Sequence, residues 1–154
     1  LENQICKAMK STYIQRKRTK GFNLQAQSPD GREVVSCTRP GPWGNPITLN
    51  INEGARTYTV LCNGSLIYED YLHPNDTQIG LVVKYYRRLV EKIDSLNSEQ
   101  RDSTTLPGWL FSDNIRHHLS GKHLSCWCAP GAPCHVQDVL LPILNGEEPR
   151  NYNV

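Results

Sequence analysis

Residues 122–144 read KHLSCWCAPGAPCHVQDVLLPIL, and the order of patterns inside this stretch decides the fold. Lys122 to Trp127 is a short run bounded by Gly121 and a loop, which is the signature of a strand. The loop that follows holds Pro130 and Pro133, which fix φ and remove backbone donors, so no regular element continues through it. Val139, Leu140, Ile143 and Leu144 then suggest a helix, entered or kinked at Pro142 and ended at Asn145-Gly146. Strand, loop and helix in this order form half of a parallel crossover unit.

Working outward, Glu33-Val-Val-Ser-Cys-Thr38 follows a Pro-Asp-Gly turn and reads as a second buried strand. It leads into RPGPWGNP, residues 39–46, where three prolines and two glycines exclude a regular element and make the loop stiff. Thr57 to Cys62, Asn63-Gly64 and Ser65 to Tyr68 predict a β-hairpin. Ile79, Val82, Val83, Tyr86, Leu89, Val90, Ile93 and Leu96 recur at helical spacing, with Lys84, Arg87, Arg88, Glu91 and Lys92 mostly on the other face. Ser98 to Pro107 reads as a polar linker, and Trp109, Phe111, Ile115 and Leu119 mark a shorter helix closed by Ser120-Gly121. The expected fold class is α/β, a single three-layer-like domain with a small, mostly parallel sheet flanked by helices and a β-hairpin insertion. Its expected divisions are a basic N-terminal arm over 1–23, the domain over 24–146 and a tail over 147–154.

A chain of 154 residues is one domain, large enough to bury a core without cross-links. Its six cysteines are unevenly placed: Cys6, Cys37 and Cys62 are solitary, whereas Cys126, Cys128 and Cys134 crowd together. Secreted scaffolds spread theirs, so the expectation is a reduced, cytoplasmic protein. No stretch approaches the roughly eighteen consecutive apolar residues of a membrane span, and no membrane partner is expected. Asn63-Gly-Ser and Asn75-Asp-Thr fit the glycosylation pattern, with nothing else pointing to secretion. The net charge is only +2, yet Lys7, Lys10, Arg16, Lys17, Arg18 and Lys20 precede Gly21 opposed by Glu2 alone. Such an arm is either a solvated leader or a sequence-blind attachment to nucleic acid.

Both stiff loops leave the carboxyl ends of predicted strands, the edge where α/β sheets bind ligands. In RPGPWGNP, Arg39 suits a phosphate or carboxylate, Trp43 a stacked base, Asn45 a base edge and Gly44 close backbone approach. The competing reading is a shaped turn with Trp43 plugging the core. For the cysteine cluster, three chemistries stand side by side. Cys126, Cys128, Cys134 and His135 could hold zinc, with Cys37 as an alternative ligand. Cys134 could be a nucleophile whose base, His135 being its diverging neighbour, would have to be His123 or His118, with Cys126 or Cys128 as resolving thiol. Or the thiols simply pack in the core. The cofactor is therefore zinc or none. His117 and His118 near a helix end read first as charges favoured by the dipole.

TRPGPWGNP, YYRRLV and LSGKHLSCWCAPGAPCHVQDVLL, taken in this order, resemble a family of phage and bacterial proteins called domain of unknown function 4326, from about Cys37 to Leu144. The segment SCWCAPGAPCH is also similar to part of the domain of unknown function 488 family, which are compact α/β proteins. Ile47 to Gln78 is longer than the first family usually carries, and one extra residue separates Cys134-His135 from Asp138. The phage association fits work on a nucleotide, nucleobase or nucleic acid, including base modification or hydrolytic removal of a group. The expected function is such an enzyme, with Cys134, His135 and Cys128 performing the chemistry and Arg39, Trp43, Gly44 and Asn45 binding substrate. The alternative is a non-enzymatic module that binds nucleic acid or protein around a structural zinc or a packed cysteine turn.

Overall fold

The strand expected from KHLSCW is β6, His123–Cys126, and all four of its residues are buried. In the computed structural model, which describes residues 10–148, β6 is the centre of a three-stranded sheet. β1 (Tyr13–Gln15) and β2 (Val34–Ser36) flank it, both parallel to it. The registers are Tyr13↔Leu124 on one side and Val35↔Leu124 on the other. A strand buried on both faces and paired on both edges is the arrangement parallel sheets require. β1 lies inside the segment read as a basic arm. Three residues among lysines and arginines are too few to show alternation, and only pairing with β6 reveals the strand. Of the arm's cations, Lys7 lies outside the described residues, as does most of the tail; Lys10 pairs with Glu147 at 3.0 Å.

A second sheet is an antiparallel meander of β3 (Ile47–Asn52), β4 (Thr57–Cys62) and β5 (Ser65–Tyr71). The expected hairpin is β4–β5, with Asn63 at φ 50° and Gly64 at φ 86°, the doubly positive pair a two-residue hairpin turn demands. The insertion is larger than a hairpin because Ile47 and Leu49 bury alternate positions along β3 and pair it with β4.

α1 (Gln78–Asp94) is capped by Thr77, whose hydroxyl accepts from the Gly80 amide at 3.1 Å. Val83, Tyr86, Leu89, Val90 and Ile93 are buried as expected, joined by Leu81 and Tyr85, while Ile79 in the first turn is exposed. The stretch read as a linker contains α2 (Ser98–Ser103), started by a capping box between Asn97 and Gln100. α3 (Ser112–Leu119) buries Ile115 and Leu119. The chain then crosses β6 and the cysteine loop into a π-helical turn, Val136–Leu140, that runs directly into α4 (Leu141–Leu144). α1 packs on β3 and on the π turn, and α3 packs on α4. The result is a mixed α/β fold with a small parallel sheet, an antiparallel sheet and four helices.

Asp138, within the π turn, is fully buried, with Oδ2 accepting from the Cys134 amide at 2.8 Å.

Candidate functional site

The strand pleat sends Cys126 and Cys128 to the same side and Trp127 to the other. Accordingly, the Sγ atoms of Cys126 and Cys128 lie 3.9 Å apart, unbonded, and Trp127 is exposed. The cysteine loop folds back so that Cys134 and His135 join them. One ligand atom each from Cys126, Cys134 and His135 falls within 4.8 Å of the others, and all three residues are buried. The imidazole is oriented by a contact from the opposing loop: its Nε2 is 3.0 Å from the Trp43 carbonyl. A carbonyl only accepts, so Nε2 carries a proton, and Nδ1 is the ring nitrogen left for a metal. Tyr86 packs against the ring edge-on at 4.9 Å. The Tyr13 hydroxyl reaches the carbonyl oxygens of Cys126 and Cys128 at 3.0 and 2.5 Å, tying β1 to the start of the loop.

These groups titrate as one unit. Hydrogen bonds from the Cys128 and Cys134 thiols push the Cys126 thiol far down, with His135 adding to the effect, while Cys128 and Cys134 are pushed up. Burial and the neighbouring sulfurs push the Tyr13 hydroxyl up. Cys37, the expected alternative ligand, is pushed up to about 12, chiefly by burial. Its thiol faces the Val35 carbonyl at 3.7 Å, and it is not in the converging group.

A zinc–thiolate bond of about 2.3 Å places two sulfurs of a tetrahedron roughly 3.8 Å apart, and the Cys126–Cys128 spacing is 3.9 Å. A metal-binding histidine normally gives its other N–H to a carbonyl or carboxylate. His135 makes that bond to Trp43. Cys126, Cys134 and His135 therefore fit zinc, with Cys128, which lies outside the group converging within 4.8 Å, as the fourth candidate ligand.

RPGPWGNP is held largely by its own side chains. The Arg39 guanidinium donates to the carbonyls of Asn45 at 2.5 Å and Ile47 at 2.7 Å. The Asn45 side chain accepts from the Ile47 amide at 2.9 Å and donates to the Val82 carbonyl at 3.4 Å. At Gly44 a Cβ would fall 2.8 Å from the Thr38 carbonyl oxygen and the Arg39 nitrogen, so the close approach is between parts of the loop itself. Trp43 packs against the core, with its ring 6.0 Å from His118. Prolines deprive the loop of amide donors, and these side chains supply the missing hydrogen bonds. Arg39, Gly44 and Asn45 nevertheless line a cavity of about 630 Å³ with Pro42, Thr48 and Asn63, whereas Trp43 does not. Its aromatic wall is Trp109, 45% exposed, with Nε1 donating to the Pro42 carbonyl at 2.9 Å. Sequence reading used Trp109 only as a helix marker, since nothing local shows that it meets a loop 67 positions away. Neither the cysteines nor His135 line this cavity.

The histidines named as bases are placed elsewhere. His123 is buried at the opposite end of β6 from Cys126. Its Nδ1 accepts from the Thr12 amide at 3.1 Å, and its Nε2 lies 2.8 Å from Asp30 Oδ1. His118 is exposed on α3 beside His117 and Trp43. Past β1, Arg16 and Arg18 stack on the Trp127 ring at 4.8 and 4.3 Å, and Arg16 also donates to the Ser36 hydroxyl. Lys17, Lys20 and Phe22 line an adjacent groove of about 610 Å³.

No curated protein and no solved structure matches the chain. The family comparison does match, across both loops, the sulfur cluster and the sheet that carries them. Residues 14–146 fit the family described as Domain of unknown function (DUF4326), and the chain belongs to it.

Proposed function

We propose that this protein binds a nucleotide or nucleobase in the cavity between RPGPWGNP and Trp109. The observation that carries this reading is the cavity's lining. At about 630 Å³ it is the size of a small-ligand site. Its walls are stiff, one face is an indole, and Arg39 is its one charged lining residue. Arg39 has spent one N–H on Asn45 and one on Ile47, leaving others for a phosphate oxygen. Free thiols at all five described cysteines suit the cytoplasm. A thermal-shift screen with nucleosides and nucleotides tests the reading. We expect a hit that Trp109→Ala abolishes while the unliganded melting temperature changes little. A screen with no hit among purine and pyrimidine ligands would sink it.

A second reading, a nucleic-acid-binding module, is supported by a different surface. Arg16 and Arg18 lie on Trp127, and among the described residues neither they nor Lys17 and Lys20 pair with a carboxylate. Stacking leaves the guanidinium edges open to phosphate.

A further inference from the structure

We infer that Cys126, Cys128, Cys134 and His135 form a zinc site that holds the ligand cavity in shape through the His135–Trp43 hydrogen bond. The inference goes beyond ligand binding at the cavity and uses that reading only for one of its readouts. Three observations converge. Ligand atoms of Cys126, Cys134 and His135 lie within 4.8 Å of one another, and the fourth candidate ligand, the Cys128 sulfur, stands at tetrahedral spacing from the Cys126 sulfur. With Nε2–H given to Trp43, Nδ1 is the ring nitrogen left for the metal. Zinc binding would release the thiol protons to solvent, with no change of oxidation state. The backbone carrying the ligands is fixed from three sides: Tyr13 on the Cys126 and Cys128 carbonyls, Asp138 on the Cys134 amide, and the Gln137 side chain bridging Gly131 and Ala129.

The coupling follows from position. Trp43 lies in the loop between Pro42 and Gly44, both of which line the cavity, and its carbonyl is what the histidine grips. A metal bound at Nδ1 would add a second anchor to the imidazole ring and so hold more firmly the Nε2–H bond that grips Trp43. Lost second-shell bonds typically cost 10–100-fold in metal affinity, and linkage requires the same factor to run from the metal to the loop.

The test uses the full chain, purified without added metal, with elemental analysis, Co²⁺ substitution and amide exchange. We expect one zinc per chain and, for the cobalt form, thiolate charge-transfer and tetrahedral d–d bands. We expect Cys134→Ser to abolish these bands. Cys134 is buried, so its replacement also strains the core; Cys128→Ser, at the partly exposed position, serves as a second probe and should shift the bands without unfolding the protein. Chelation should speed amide exchange at Gly41 to Asn45 about tenfold or more, and weaken any nucleotide hit by a similar factor. Less than 0.2 equivalents of zinc with featureless cobalt spectra would overturn the site. Stoichiometric zinc whose removal leaves exchange at Gly41 to Asn45 unchanged would overturn the coupling. Absence of any nucleotide hit in the zinc-loaded protein would overturn the cavity reading instead, while the zinc and exchange results still decide this one.

Discussion

At the residue scale, His123 shows how a buried histidine can be satisfied without catalysis. The Thr12 amide must donate to Nδ1, so the proton sits on Nε2 and is given to Asp30. The bond to His123 is the first of the effects that hold the Asp30 carboxyl well below its ordinary value, with Arg32 helping. A depressed carboxylate contributes stability that is present above its unfolded pKa, about 4, and is lost as pH falls below that through the folded value. Asp30→Asn should therefore lower the melting temperature at pH 7 and flatten its decline below about pH 4; an unchanged acid limb would show that the Asp30 pairing contributes nothing. Tyr13→Phe removes the hydroxyl that bridges Cys126 and Cys128, and should cost about 1 kcal/mol in urea denaturation. KHLSCW was legible as a strand, but that His123 would be locked away from the sulfurs was not. Its partners, Thr12 and Asp30, come from distant segments.

At the scale of elements, the π turn and the cysteine loop act together. Gln137, in the turn, accepts from the Gly131 amide at 2.9 Å and donates to the Ala129 carbonyl at 3.1 Å. Gln137→Ala should loosen the loop and make Cys128 react faster with a thiol reagent in metal-free protein, while Cys126 and Cys134, being buried, stay slow. β1 carries the other element-scale consequence, because its continuation places Arg16 and Arg18 on Trp127. If this surface binds nucleic acid, removing both arginines should weaken binding across sequences alike and reduce the salt slope by about 2. Fluorescence anisotropy at several salt concentrations measures both. The long helix was plain from its period, yet its buried face was misjudged around Ile79. Which side of an amphipathic helix goes inward at its first turn depends on what it packs against, here β3 and the π turn.

For the whole molecule, the two stiff loops do meet, as their departure from adjacent parallel strands requires. They meet through His135 and the Trp43 carbonyl, so the sulfur cluster backs the loop and the cavity opens where Trp109 arrives from before α3. The sequence by itself determined the α/β class, the strand–loop–helix unit at 122–144 and the sulfur cluster, because periodicity, proline placement and strand pleat are local properties of the chain. Only the tertiary structure decided that β1 completes the sheet, that Arg39 and Asn45 brace the loop while Trp109 walls the cavity, and that His135 joins Cys126 and Cys134 while its Nε2 meets the Trp43 carbonyl. Each of these depends on which partner a hydrogen-bonding group meets across the fold, and local pattern carries no record of that choice.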